Sequence, residues 1–181
     1  MESKANKNSE VWIIAAYEVF ARAGFKGLRI EQLAKKVKIS KSSFYHHFAD
    51  LEYFTELLFE YHFDRCRVLA EKEKKCQIID PDLINVLLEH RTDLLFHRQL
   101  RVHRGNANVE KALRKSNALL GNYAAMLWAK TINLNLSQVQ LEGLFELATD
   151  DFYMRLTEDN LNYEFLSSYF KNLSHITKRF A

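Results

Sequence analysis

A segment near the amino terminus constrains the fold most, because it predicts two short helices joined by a tight connection. Gly24 is expected to end a preceding helix, and apolar residues at helical spacing predict a helix over residues 30–37. A connection at residues 38–39 follows, and Ser40 can cap a second short helix over residues 41–48. This arrangement is typical of a helix-turn-helix, whose second helix enters the major groove of DNA.

The second short helix is expected to have one apolar and one polar face. Phe44 and Phe48 are four residues apart, so both face a small core while Tyr45 points away from it. The outward positions carry small polar, basic and aromatic side chains, a set that suits contacts with base edges and phosphates and that no structural role requires. These residues are Lys41, Ser42, Ser43, Tyr45 and His46.

Several short pieces within about residues 9–56 carry a specific resemblance. They are Ala15-Ala16-Tyr17-Glu18-Val19-Phe20, Gly24-Phe25, Ile30-Glu31-Gln32-Leu33-Ala34, Ile39-Ser40-Lys41 and Phe44-Tyr45-His46-His47-Phe48. In combination and at this spacing they resemble the DNA-binding region of the tetracycline-repressor (TetR) family of transcriptional regulators. The chain departs from the family pattern at four positions: Arg29 replaces the usual Ser or Thr cap, Lys38 and Ser42 replace glycines, and Leu51 replaces a phosphate-gripping lysine.

The resemblance implies a set of DNA-binding residues: Arg29, Lys41, Ser42, Ser43, Tyr45, His46 and His47. Lys41, Ser42 and Ser43 lie at the start of the second helix, where side chains reach base edges. Tyr45 and His46 are expected to contact phosphates or thymine methyl groups. His47 is included by its position in the family pattern, and it is equally well explained as a hydrogen-bonded residue at the edge of the core.

The rest of the chain predicts an all-α protein of about nine helices. One Pro and five Gly in 181 residues leave few interruptions, so the helices should be long. The predicted helices cover residues 10–23, 30–37, 41–48, 50–75, 81–99, 109–132, 137–156 and 162–179, with residues 1–8 as a polar arm and 133–136 as a loop. Residues 1–50 are expected to form a helix-turn-helix domain, and residues 51–181 a helical ligand-binding and dimerisation domain.

Charge and hydropathy agree with a DNA-binding protein outside membranes. Residues 1–50 contain nine Lys or Arg against five Asp or Glu, whereas the remaining residues are close to neutral. No apolar run approaches the ~18 residues that would suggest a membrane span, and the first residues lack the apolar core of a signal peptide. We therefore expect a cytoplasmic protein that does not bind membranes.

The last two predicted helices each carry an apolar stripe. The stripes are Val139, Leu144, Leu147, Ala148, Phe152 and Leu156 in one, and Phe165, Leu166, Tyr169, Phe170, Leu173 and Ile176 in the other. The resemblance favours a homodimer through these helices, and the alternative is a monomeric hairpin that packs on the body. A dimer would present two second helices to a palindromic operator, with half-sites about one DNA turn (~34 Å) apart or a multiple of it.

Aromatic residues in the second half raise the possibility of a ligand cavity. The resemblance implies a small apolar or aromatic ligand among the middle helices, with Phe63, Phe96, Tyr123, Met126 and Trp128 as its candidate contacts. The alternative is that these side chains fill an ordinary core. His90, Asp93 and His97 share a helical face, which we interpret as an exposed polar stripe rather than a metal site. No cofactor and no metal are expected.

The function that best fits the sequence is a dimeric repressor that leaves a palindromic operator when a small molecule binds. One alternative is a helix-turn-helix regulator without a small-molecule ligand, controlled by a protein partner or acting as an activator. An all-α enzyme with an attached helix-turn-helix and a purely structural helical protein are further alternatives. The sequence contains no acid–base or nucleophile constellation and no glycine-rich phosphate loop, so we expect no catalytic residues.

Overall fold

The computed structural model describes residues 4–132 and 137–177, and every regular element within these ranges is helical. The all-α prediction is confirmed. The α-helices are α1 (Lys4–Ala23), α2 (Ile30–Val37), α3 (Lys41–His47), α4 (Leu51–Glu73), α5 (Ile84–Glu89), α6 (Arg91–Val102), α7 (Ala107–Leu120), α8 (Tyr123–Ile132), α9 (Gln138–Arg155) and α10 (Tyr163–Thr177). A 3-10 turn over Gly24–Gly27 and a π-helical turn over Ile79–Leu83 complete the described elements.

Local capping signals place several helix ends as predicted. Gly24 follows α1 with φ +59°. The Asp50 carboxylate accepts a hydrogen bond from the Tyr53 N–H at 2.8 Å and so caps α4. Ser137 and Gln140 form a reciprocal capping box at the start of α9, with bonds of 3.0 and 3.3 Å.

Other predicted boundaries are wrong. The α1 helix begins at Lys4 rather than at residue 10, because no Gly or Pro in residues 4–9 stops it. The predicted helix 81–99 is divided at His90, and the predicted helix 109–132 is divided at Gly121, which has φ +68°. The regular α-helix predicted from residue 81 begins only at Ile84, after the turn Ile79–Leu83, and the Asp80 carboxylate accepts hydrogen bonds from Tyr163 and Ser167 of α10. The predicted loop 133–136 lies outside the described residues.

A continuous apolar core joins the helix-turn-helix to the body. Trp12 of α1 packs against α3, whereas Tyr17 and Phe20 of the same helix pack against Phe96 of α6, with ring centroids 4.4 and 4.5 Å from the Phe96 ring. All four side chains are at most 4% exposed. The α1 helix is therefore part of both cores. No helix within the described ranges has the length and apolar character that crossing a membrane requires.

Candidate nucleic-acid interface and interior sites

The connection between α2 and α3 is a left-handed turn at Lys38. Lys38 has φ +58° and ψ +36°, and the N–H of Ile39 donates to the Ala34 carbonyl at 3.2 Å. This hydrogen bond closes the end of α2 and reverses the chain within two residues. The turn thereby fixes the angle at which α3 leaves α2.

The inner face of α3 is held by aromatic contacts. The Phe44 ring is fully buried, and its centroid lies 5.4 Å from Trp12, 4.9 Å from Phe48 and 5.0 Å from Phe54. These edge and tilted contacts connect α3 to α1 and α4. Because the inner face cannot rotate without breaking them, the outer face of α3 has a defined orientation.

The residues predicted to contact DNA are found mostly on the surface. Lys41, Ser42, Tyr45 and His46 are exposed, with 52% of Tyr45 accessible. Ser43 and His47 are half-buried, and Arg29 is exposed immediately before α2. The structure thus brings six of the seven onto α3 and places Arg29 on a neighbouring element.

An ion pair links α2 to α3. The Lys41 ammonium donates to the Glu31 carboxylate. This hydrogen bond raises the pKa of Lys41 and lowers the pKa of Glu31. Lys26, Arg29, Lys35 and Lys38 lie in the 3-10 turn, in α2 and at its two ends; they are exposed and form no ion pair with any described residue, so their positive charge is not compensated there. Glu31 and Lys41 are ten positions apart on separate helices, so the helical periodicity of the sequence does not predict this ion pair.

A cavity of about 410 Å³ lies in the body and is lined by residues of the helices from α4 to α10. Its apolar lining includes Leu113, Trp128, Phe145, Phe152 and Phe170. Polar lining groups come from Glu73, His97, Arg101, Asn117 and Asp150. The cavity therefore offers both apolar walls and several charged groups.

The structure does not bring the five predicted ligand contacts together. Trp128 lines the cavity, and Phe63 lines a separate groove beside α4 and α7, where the Lys115 ammonium lies 4.0 Å from its ring. Phe96 is fully buried against Tyr17 and His62. Tyr123 is half-buried, and Met126 is 57% exposed.

The interpretation of His90, Asp93 and His97 as an exposed stripe is wrong. They are 2%, 4% and 1% exposed, because α1 and α4 cover this face of α6. The Asp93 carboxylate accepts hydrogen bonds from His90 at 2.6 Å, from Arg65 at 2.9 and 3.1 Å and from Tyr17 at 2.8 Å. Burial alone would raise the pKa of Asp93, but these donors lower it to about 2.

Two further buried side chains, His62 and Cys66 of α4, belong to the same interior region. Both are 1% exposed, and they lie one helical turn apart, facing His97 across to α6. The spacing His-x-x-x-Cys is a sequence signal for two side chains on one helical face. His97 lies on a different helix, so the sequence spacing does not show that it meets the other two side chains.

The structure combines a helix-turn-helix, whose second helix exposes polar and aromatic side chains, with an all-α body that contains a cavity. Residues 13–52 match the family described as bacterial regulatory proteins, tetR family. This match covers the helix-turn-helix segment of the chain and does not extend to the helices of the body.

Similar solved structures support the fold along nearly the whole chain. A protein described as a TetR-family transcriptional regulator from Rhodococcus sp. is 19% identical, with a TM-score of 0.60 over 94% of this chain and 97% of that one. A second such protein, from Mesorhizobium loti MAFF303099, is 16% identical, with a TM-score of 0.55 over 97% and 98%. At these identities the likeness concerns the fold alone. No curated protein matches the sequence significantly.

Proposed function

We propose that the protein is a dimeric repressor that binds a palindromic operator and is released by a small-molecule ligand. The observation that carries the DNA-binding part is the two-sided character of α3. Its inner face is fixed by Phe44, and its outer face exposes Lys41, Ser42, Tyr45 and His46. A rigid helix that presents such a set suits readout in the major groove. Such a regulator acts in the cytoplasm.

The position of each side chain supports a particular proposed contact with DNA. Lys41 and Ser42 occupy the first turn of α3, where they can reach base edges, and half-buried Ser43 can add a contact there. Tyr45, His46 and His47 follow in the next turn and are suited to phosphates. Lys41 exchanges Glu31 for DNA, and the exchange costs little because both side chains are exposed. Arg29 adds a phosphate contact from the start of α2.

Exposed apolar residues on the last two helices support dimerisation through α9 and α10. Val139 is 78% exposed, Leu147 is 72% exposed, and Met154 and Ile176 are each 53% exposed. Val139 and Leu147 are eight residues apart and so lie close to one face of α9. Large apolar side chains clustered on one surface are typical of an interface with another chain.

The interior cavity supports the ligand-responsive part of the proposal. A volume of about 410 Å³ lies within the usual range for small-molecule sites, and aromatic walls with a few polar groups are typical of them. The cavity is lined by residues of α6, and α6 contacts α1, whose other end packs on α3. A ligand that favours one position of α6 would change the orientation of α3.

Selection of bound duplexes from a random DNA pool, at two salt concentrations, tests the DNA-binding part. We expect an enriched palindrome and affinity that falls steeply with salt, because phosphate contacts release counterions. Tyr45→Ala should lower affinity for the enriched site at least tenfold, with circular dichroism unchanged. Val102→Ala, which truncates an exposed side chain at the end of α6 and outside α3, α9 and α10, is the control and should bind normally. Failure to enrich any motif, or normal binding by Tyr45→Ala, would contradict the proposal.

A further inference from the structure

Three potential metal ligands converge in the interior of the protein. The Nε2 atom of His62 lies 3.4 Å from the Nδ1 atom of His97 and 3.4 Å from the Sγ atom of Cys66. All three atoms lie within 4.8 Å of one another, and all three residues are 1% exposed. The cluster is supplied by two helices, α4 and α6, that are packed into the core.

The hydrogen bonds around His62 determine which of its nitrogens carries a proton. Tyr17 donates its only hydroxyl proton to Asp93, with 2.8 Å between the oxygens, so the Tyr17 oxygen accepts from His62 Nδ1 at 2.8 Å. His62 is 1% exposed, and its ring proton lies on Nδ1, which donates to Tyr17. Its Nε2 atom therefore presents a lone pair to the cluster.

The same reasoning applies to His97 through Asn117. An arginine can only donate, so the Asn117 atom that lies 3.2 Å from Arg101 is an acceptor oxygen. That oxygen accepts from His97 Nε2 at 3.0 Å. His97 is also 1% exposed, and its ring proton lies on Nε2, which donates to Asn117. Its Nδ1 atom therefore also presents a lone pair, opposite that of His62.

The His62 Nε2 atom, the His97 Nδ1 atom and the Cys66 thiol cannot all be satisfied by hydrogen bonds to one another. Only one proton, on Cys66, is available for two acceptor nitrogens, so at least one nitrogen remains without a donor. A cation placed between the three atoms would satisfy all of them. In a metal-binding histidine, the ring nitrogen that does not bind the metal usually donates its N–H to a hydrogen-bond partner. His62 and His97 both have such a partner, in Tyr17 and Asn117.

We propose that His62, Cys66 and His97 bind one transition-metal ion of the zinc type. Zinc lies about 2.0–2.1 Å from imidazole nitrogen and about 2.3 Å from sulfur, so tetrahedral ligand atoms are separated by about 3.4–3.6 Å. The two separations of 3.4 Å fit this geometry. Magnesium and calcium prefer oxygen ligands and do not fit a site of two nitrogens and one sulfur. When the ion binds, the thiol proton leaves to solvent and the thiolate sulfur becomes the third ligand.

Three protein ligands leave a fourth position of the tetrahedron open. His97 also lines the 410 Å³ cavity, so an ion can enter from that side and a water molecule can complete its coordination. The site is linked to α1 as well, because His62 is hydrogen-bonded to Tyr17. Binding of an ion at this site would therefore affect α1, the helix that packs on α3.

Titration of the full chain with Co²⁺, which replaces zinc and absorbs visible light, tests the site. After treatment with a chelator, we expect one Co²⁺ per chain, a thiolate-to-cobalt charge-transfer band, the intense visible bands of a tetrahedral ion, and displacement by Zn²⁺. Cys66→Ser should abolish the charge-transfer band, and His97→Gln should weaken binding at least tenfold. Cys76→Ser is the matched control, because Cys76 is half-buried and outside the cluster.

The wild-type spectrum keeps the test decisive if a variant fails to fold, since the charge-transfer band itself reports sulfur ligation. Absence of stoichiometric Co²⁺ and Zn²⁺ binding to the wild-type chain would overturn the proposal. So would a spectrum that Cys66→Ser leaves unchanged or that Cys76→Ser abolishes. None of these readouts depends on DNA binding, so the site is tested separately from the proposed repressor function.

Discussion

Glu73 is an acidic residue whose burial makes its ionised form unfavourable. It lies in the last turn of α4, lines the cavity, and forms no ion pair with any described residue. Burial raises its pKa to about 7, and no neighbouring group offsets this effect appreciably. Near neutral pH the folded protein therefore holds Glu73 partly protonated, whereas the unfolded chain holds it ionised.

The raised pKa of Glu73 predicts how stability varies with pH. Its unfolded pKa is about 4.3, so between about pH 4.3 and 7 the folded state binds the extra proton and stability falls as pH rises. Glu73→Gln removes the free-energy cost of ionising this buried carboxyl group. It should raise the free energy of unfolding at pH 8 by about 1–3 kcal/mol, with little effect near pH 4. Urea unfolding at the two pH values measures the difference.

Glu71→Gln serves as the control for this pH effect. Glu71 is exposed and its hydrogen bond with Lys74 lowers its pKa, so its replacement should not stabilise the protein at pH 8. If Glu73→Gln changes the free energy of unfolding equally at both pH values, the change does not come from the ionisation of Glu73, and the prediction is contradicted.

Single residues also show what sequence patterns can and cannot predict. The exposure of Lys41 and Tyr45 was predictable because Phe44, adjacent in sequence, had to face the core. The burial of His90 and Asp93 was not predictable in this way. Helical spacing shows which residues share a face, but only the packing of α1 and α4 decides whether that face is covered.

Among the helical elements, α2 and α3 are joined by a turn that is strained, because the residue in its left-handed conformation is Lys38 rather than glycine. Lys38 has φ +58°, a conformation that costs non-glycine residues about 1–2 kcal/mol. Lys38→Gly should therefore raise the free energy of unfolding by about 0.5–1 kcal/mol, since the greater freedom of glycine in the unfolded chain offsets part of the gain. Thermal or urea unfolding of the full chain measures this change.

Lys38→Ala provides the matched control for the turn. It removes the same charge but leaves a side chain with a Cβ in the left-handed conformation, so it should not stabilise the protein. Any loss of DNA affinity common to both variants then reports the charge of Lys38. Equal stabilisation by both substitutions would show that charge, rather than backbone strain, sets the stability of this turn.

Helix ends were predictable where local side chains determine them. Asp50 and Ser137 cap α4 and α9 through residues three positions ahead, so a short window of sequence contains the whole signal. The break at Gly121 was missed because an isolated glycine is compatible with a continuous helix. Its positive φ separates α7 from α8, and α8 packs against residues distant in sequence, over Ile79–Leu83.

In the whole molecule, α1 couples the DNA-binding surface to the interior. Trp12 contacts Phe44 of α3, and Tyr17, further along the same helix, contacts Phe96 and is hydrogen-bonded to His62. A rearrangement of the body must therefore move or strain the helix that supports α3. The boundary that we proposed at residues 50–51 divides two segments of sequence, but these segments share one apolar core.

The last prediction concerns the proposed dimer interface. Leu147 is 72% exposed on α9, so Leu147→Glu would place two charges near each other in an apolar interface between two copies. We expect a dimer of wild-type protein and a monomer of the variant at micromolar concentration, measured by sedimentation, with the helical circular dichroism unchanged. Affinity for a palindromic site should fall at least tenfold, because one α3 helix then binds alone.

Val102→Glu is the matched control for the dimer prediction. Val102 is 45% exposed at the end of α6, outside α9 and α10, so this variant introduces the same charge away from the proposed interface. It should remain dimeric and bind DNA like the wild-type protein. Persistence of the dimer in Leu147→Glu, or its loss in Val102→Glu, would place the interface elsewhere. A monomeric wild-type chain would leave the exposed residues of α9 to a different partner and would contradict the dimeric repressor.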